Sequence, residues 1–249
     1  MFGPNGQGQN TNPGFYNGNG YVVKEKAMRS LLARSYGEMC VALLLTAAMA
    51  FFSAYTGLLD DFLGATGSIG WIIVCIAQVA FAVVLSARLW KMKPSTARIL
   101  FYAYALLMGF TLASIFFIFN IGTIFVAFLF SAAFFFCLSM LAMSTKKNLL
   151  KLGPILWVGL VVFVIGEVIL WFIHASGATM FISAIGLLLF AGLTLYDVQW
   201  IKKVLEPRCH TEVEYKQASI FAALNLYLDF VNIFLTLLQL FGGRGGGRR

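Results

Sequence analysis

Charge is scarce in this chain. Only 11% of the 249 residues are Asp, Glu, Lys or Arg, against about 25% in soluble proteins. With 60% hydrophobic residues and a mean hydropathy of +0.86, a soluble globular domain is excluded. Histidine is rarer still: His174 and His210 are the only two, and they fall in loops on opposite sides of the predicted bundle. No His-Glu-x-x-His is present, so neither a zinc site nor a Ser–His pair is expected. The four cysteines, Cys40, Cys75, Cys137 and Cys209, have no Cys-x-x-Cys or framework spacing. The alternating strand pattern of an outer-membrane barrel is also missing. Residues 1–20 contain no charged residue and lack the apolar centre of a signal peptide.

What the chain does have is long apolar runs. A membrane-spanning helix needs about 20 mainly apolar residues. Seven segments qualify: 37–56, 69–87, 97–119, 121–143, 155–174, 179–200 and 220–241. All are expected to be helices, because backbone exposed to lipid must satisfy its own hydrogen bonds. The domain reading is a disordered cytoplasmic tail over 1–23, a seven-helix transmembrane domain over 24–242 and a Gly/Arg tail over 243–249. There is no separate soluble module. The segment Phe119-Asn-Ile-Gly-Thr123 leaves spans three and four almost no loop, which predicts a tight antiparallel hairpin. Small residues four apart, such as Gly109 and Ala113, permit close helix contact.

The net charge of +8 does not point to nucleic acid, because the basic residues occupy short clusters between apolar runs. Arg88, Lys91, Lys93 and Arg98 separate spans two and three. Lys146, Lys147 and Lys151 separate four and five, and Lys202, Lys203, Arg208 and Lys216 separate six and seven. The intervening loops carry Asp60, Asp61, Asn120 and His174 with no Lys or Arg. The positive-inside rule then places the N-terminus in the cytoplasm. Seven crossings leave Arg244, Arg248 and Arg249 outside, so the last segment either is re-entrant or carries a short charged tail across. The regular alternation of the first six spans favours seven crossings. The partner expected throughout is membrane lipid.

Polar residues inside the apolar runs are the candidate site. Asp197 ends span six, and Asp229 lies deep in span seven. A carboxylate at membrane depth is costly unless paired, protonated or facing water. Asn225, Asp229 and Asn232 recur at i, i+4 and i+7 and so share one helical face. The functional reading is a titratable gate. The structural readings are an Asp197 that snorkels to water beside Lys202 and a hydrogen-bond ladder along the last helix. Arg88, ending span two, is either a topogenic charge or the counter-ion of the two aspartates. Glu38 follows Arg34 by four residues, which predicts a local ion pair. Glu167 is mid-span with no cation near it in sequence; it is either hydrogen-bonded or faces the same cavity as the aspartates. Two membrane aspartates also suit an intramembrane aspartyl protease, but that chemistry carries a Gly-x-Gly-Asp motif, and here Asp229 follows Leu226-Tyr-Leu. No lysine occupies the last span, which excludes a retinal Schiff base there. No enzymatic activity and no cofactor is expected.

Three segments carry a resemblance: Leu195-Tyr-Asp-Val-Gln-Trp-Ile-Lys202, Ala223-Leu-Asn-Leu-Tyr-Leu-Asp-Phe-Val-Asn-Ile-Phe234 with Leu237-Leu-Gln-Leu-Phe-Gly242, and Leu85-Ser-Ala-Arg88 through Thr111. In this order they resemble the bacterial branch of the transmembrane Bax inhibitor motif family (the TMBIM, or Bax-inhibitor, family) over residues 30 to 242. The resemblance implies an all-α membrane protein of the bacterial inner membrane whose last helix is central and wrapped by the other six. It implies a pH-sensitive calcium leak in which Asp197 and Asp229 match a gating aspartate pair and Arg88 matches its arginine partner. Calcium would then pass transiently near Asp197 and Asp229, with no fixed metal. Gln78 stands where some leak-competent relatives carry a glutamate. Gln78, Glu167, Asn225 and Asn232 are the expected polar lining. Some bacterial relatives instead bind and modulate a membrane-bound ATP-dependent protease. The tail over 1–23 is a handle suited to that alternative.

Overall fold

The computed structural model describes residues 19–173 and 179–242. Residues 1–18, His174 and the Gly/Arg tail lie outside the described residues, and with them most of the tail that motivates a protease partner. Seven helices are long and apolar enough to cross a membrane. They are α1 (Asn19–Thr56), α2 (Leu58–Arg88), α3 (Pro94–Leu112), α4 (Ile121–Ser144), α5 (Gly153–Ile173), α6 (Thr179–Trp200) and α7 (Glu212–Gly242). No strand occurs among the described residues. The all-helical, seven-span expectation therefore holds.

Three helices begin well before the residues that hydropathy suggests. α2 starts at Leu58, with Asp60 and Asp61 in its first turn, where carboxylates favour the positive end of the helix dipole. It then breaks at Gly67 (φ 63°, ψ −162°). Only glycine adopts such a backbone readily; the apolar helix long enough to cross nonetheless runs from Leu58, not from the expected residue 69. α7 starts eight residues before the expected 220, because Glu212, Glu214 and Lys216 lower the hydropathy of its first turns. α1 likewise extends back to Asn19, inside the tail expected over 1–23. α7 is one unbroken helix of 31 residues, about 46 Å long. That length suffices for a full crossing, and the unbroken helix has no turn of the kind a re-entrant hairpin needs.

The most buried helix is α7. Of its apolar window 72% is buried, against 44% or less in the others. α1, α3, α4 and α6 pack directly against it. α2 packs on α3 and α1, and α5 packs on α6, as an outer layer. The contacts thus establish four helices packed directly on α7, with α2 and α5 outside them. Outward, large apolar side chains are bare: Leu44, Ile69, Ile118 and Leu188 are each more than 70% exposed. Lipid is the solvent that such a surface requires.

Spans three and four connect tightly but do not form the expected close hairpin. A short helical turn, Ile115–Ile118, follows α3, and Asn120 then caps α4 by accepting from the Thr123 N–H at 2.8 Å. The extra turn carries the chain aside, and α3 and α4 each pack on α7 rather than extensively on each other.

Hydrogen bonds inside the bundle fix its centre. The Thr46 hydroxyl of α1 lies 2.9 Å from the Ala105 carbonyl of α3 and 2.7 Å from the Tyr227 hydroxyl of α7. Tyr227 is fully buried, with Phe101 packed edge-on at 5.7 Å. A bond of this kind contributes about 0.6 kcal/mol, with a ceiling near 1.7. Tyr227→Phe is therefore expected to lower the thermal midpoint in detergent slightly. Thr46→Val should lower it more, since it orphans Tyr227 as well. A larger loss for Tyr227→Phe than for Thr46→Val would contradict this assignment.

Candidate functional site: a carboxylate pair between α6 and α7

The α6 sequence around Asp197 is apolar on three sides and polar on one. Thr194 and Asp197, three residues apart, share the face toward α7. Thr194 is buried and Asp197 partly so. On α7, Asp229 is 6% exposed. Asp197 acts electrostatically on Asp229, and Thr194 is within side-chain reach of it. The two aspartates picked out by hydropathy thus meet across one helix–helix interface.

The pair is poorly satisfied. One carboxylate oxygen of Asp229, Oδ2, is fully buried and has no hydrogen-bond partner among the described residues. The Thr194 hydroxyl donates to its own helix, to the Phe190 carbonyl at 2.8 Å. No Lys or Arg pairs with either carboxylate among the described residues, whose ion pairs are Arg98–Glu38 and Lys216–Glu212. Beyond Asp197, α6 passes into a π-helical turn over Ile201–Leu205 whose Ile201 and Leu205 are buried. Such turns widen a helix and recur at functional sites. Lys202, on this turn, donates from Nζ to the Met143 carbonyl at 3.0 Å. Its ammonium is thereby engaged with α4, which does not bear out Asp197 snorkelling beside it.

The other expected residues divide. Asn225 and Asn232 are partly buried on the Asp229 face, and their side chains make no hydrogen bond among the described residues. An interhelical ladder is therefore not formed there. Gln78 lies elsewhere, in the α2–α3 interface: its Nε2 donates to the Met108 sulfur at 2.7 Å, and its Oε1 accepts from the Thr111 hydroxyl at 2.9 Å. Glu167 is partly buried on outer α5, apart from α7, with no partner among the described residues. Arg88 is exposed at the end of α2 without an ion pair among the described residues. The turn after it is nonetheless docked on α7. Gln217 donates from Nε2 to the carbonyls of Trp90 at 3.3 Å and Met92 at 2.7 Å. Arg88 is thus held at the right end of the bundle without touching the aspartates.

Glu38 corrects a local reading. It pairs with Arg98 of α3 at 2.6 Å, not with Arg34, and accepts from the Tyr102 hydroxyl at 2.6 Å. The i,i+4 rule sees one helix at a time, whereas Glu38 faces the neighbouring helix. A buried amide, Gln199, also escapes a sequence reading. Gln199 donates to the Lys147 carbonyl and accepts from the Leu149 N–H, both at 2.8 Å. It fastens the loop between α4 and α5 to α6, two residues from Asp197. Its one signal in sequence is an amide beside a membrane carboxylate.

Fold and site together define a polytopic helical membrane protein with a carboxylate pair buried between its last two helices. The chain belongs to the Bax inhibitor family: the family model described as "Inhibitor of apoptosis-promoting Bax1" matches residues 28–246. It is similar to the inner membrane protein YbhL of Escherichia coli K12, 34% identical over 225 residues, or 90% of this chain and 96% of that one. An uncharacterised protein of Borreliella burgdorferi is also 34% identical, over 90% of this chain and 94% of its own. A third relative, from Rickettsia prowazekii, is 31% identical over 88% of this chain and 92% of its own.

Proposed function

We propose that the protein is a pH-sensitive cation leak of the bacterial inner membrane, with Asp197 and Asp229 as its gate and calcium as its ion. The observation that carries this reading is the orphaned Oδ2 of Asp229. A buried acceptor without a donor is costly. A proton, a water or a passing cation each relieves that cost, and each changes the state of the site. Two interacting carboxylates exchange protons as a unit. Calcium takes six to eight oxygen ligands, or about that number, in a resident site. Among the described residues no three His, Cys, Asp or Glu side chains gather. The pair suits a cation in transit.

The gate follows from charge. Ionised, the pair attracts a cation at the basic end of the bundle, and the role is assigned to Arg88, which ends α2 there without an ion pair among the described residues. That latch keeps the basic end closed. Protonation removes the attraction, the α6–α7 interface relaxes at its π-helical turn, and leak rises as pH falls. The basic loops place this end in the cytoplasm. Calcium flux into proteoliposomes, from about pH 5 to about pH 8, tests the reading. It fails if Asp197→Asn and Asp229→Asn leave both rate and pH dependence unchanged.

A further inference from the structure

A cleft of about 490 Å³ opens at the basic end between α1, α3 and the first turns of α7, away from the carboxylate pair. Three cations line it, Arg34, Arg98 and Lys216, against one carboxylate, Glu38. Glu38 is already engaged by Arg98 and Tyr102, at 2.6 Å each. That anchors Arg98 and leaves the other two cations without a carboxylate inside the cleft. Arg34 has no ion pair among the described residues, and Glu212 on the rim acts on it only at longer range. Lys216 meets only Glu212, an i,i+4 partner whose side chain is 77% exposed on the rim. Exposed pairs of this kind are weak and readily exchanged.

The α1 wall of the cleft changes character with depth. Arg34, Gly37, Glu38 and Val41 recur at i, i+3, i+4 and i+7 and share one face. A side chain at Gly37 would meet nothing within 4 Å, so the wall is open there. Val41 is 42% exposed, and Leu44, one turn deeper, is 71% exposed. Cations at the mouth therefore lead into an apolar track pointing toward hydrocarbon. A free phosphate would use only the mouth. A phospholipid uses both, and basic pockets between helices on the cytoplasmic side favour anionic headgroups.

We propose that this cleft binds an anionic phospholipid, its phosphate between Arg34 and Lys216 and one acyl chain laid along Gly37 and Val41. The proposal rests on the basic end lying at the membrane surface and is independent of the leak. The test is native mass spectrometry of the full-length protein in mild detergent, titrated with phosphatidylglycerol or with phosphatidylcholine of the same chains. Wild type is expected to retain phosphatidylglycerol about tenfold better. Arg34→Gln with Lys216→Gln should remove that preference. Gly37→Phe, which leaves every charge in place, should lower retention of phosphatidylglycerol, while Gly37→Ala should not. Absence of a preference in wild type overturns the proposal, as does full retention by the charge variant or by Gly37→Phe. Complete displacement by inorganic phosphate would overturn it too, by showing a free-anion site. Should a variant fail to fold, the wild-type preference and the phosphate competition still decide.

Discussion

Asp229→Asn is expected to flatten the pH response of cation leak in proteoliposomes, and Asp197→Asn to flatten it as well. Both carboxylates occupy one interface, and each alters the charge that the other feels. Removing either therefore dissolves the unit, and the double variant should resemble the singles rather than sum them. If protonation biases the gate by about 1.4 kcal/mol, wild-type leak changes roughly tenfold across the titration, and the variants change little. Arg88→Gln should raise leak at the alkaline end and leave the acid end near wild type, because the latch it forms matters only while the pair is ionised. Glu167→Gln, on outer α5, should leave the pH response intact. A response lost equally in Glu167→Gln and Asp229→Asn would detach the effect from the pair.

The second large effect is on assembly. At Gly109, α3 comes so close to α1 that an added Cβ would lie 2.5 Å from the Thr46 carbonyl oxygen and 2.8 Å from the Met49 Cβ. The first obstacle is backbone, which cannot rotate away as a side chain can. Gly109→Ala must therefore push two helices apart along the interface that also holds the Thr46–Ala105 bond. Overpacking of this kind costs about 1–3 kcal/mol, and Gly109→Leu should cost more and lower the yield of folded protein. At Gly186 the nearest obstacles are the Phe163 ring and a Thr236 methyl, which have freedom to yield. Gly186→Ala is expected to be milder. Thermal unfolding in detergent checks the order, and a Gly186→Ala loss exceeding that of Gly109→Ala would contradict it.

The small residue at Gly109 was readable in sequence, because close helix contact without a large side chain leaves a spacing signature. So were the seven spans, since an apolar run of membrane length has few other uses. The early starts of α2 and α7 were not. Asp60, Asp61, Glu212 and Glu214 read as loop by hydropathy, although each occupies the first turn of a helix, where acid is favoured. Partners across helices were the least legible. Glu38 with Arg98 and Gln78 with Met108 and Thr111 depend on which faces meet, and periodicity in a single helix leaves that open. Asp197 and Asp229 stood out because a carboxylate is conspicuous among apolar residues. Thr194 and Gln199 did not, because neutral polar side chains barely disturb an apolar run. The structure adds the feature on which the proposed gate depends, a buried carboxylate oxygen, Oδ2 of Asp229, with no hydrogen-bond partner among the described residues.

Infrared difference spectroscopy of the reconstituted protein, between about pH 5 and about pH 8, tests the gate most directly. It observes protonated carboxyl groups by their C=O stretch. The account predicts a carboxyl band whose titration midpoint coincides with that of the cation leak and which disappears in both Asp197→Asn and Asp229→Asn. A leak that still follows pH while this band stays constant, or a band that survives both substitutions, would contradict the claim that this pair is the gate.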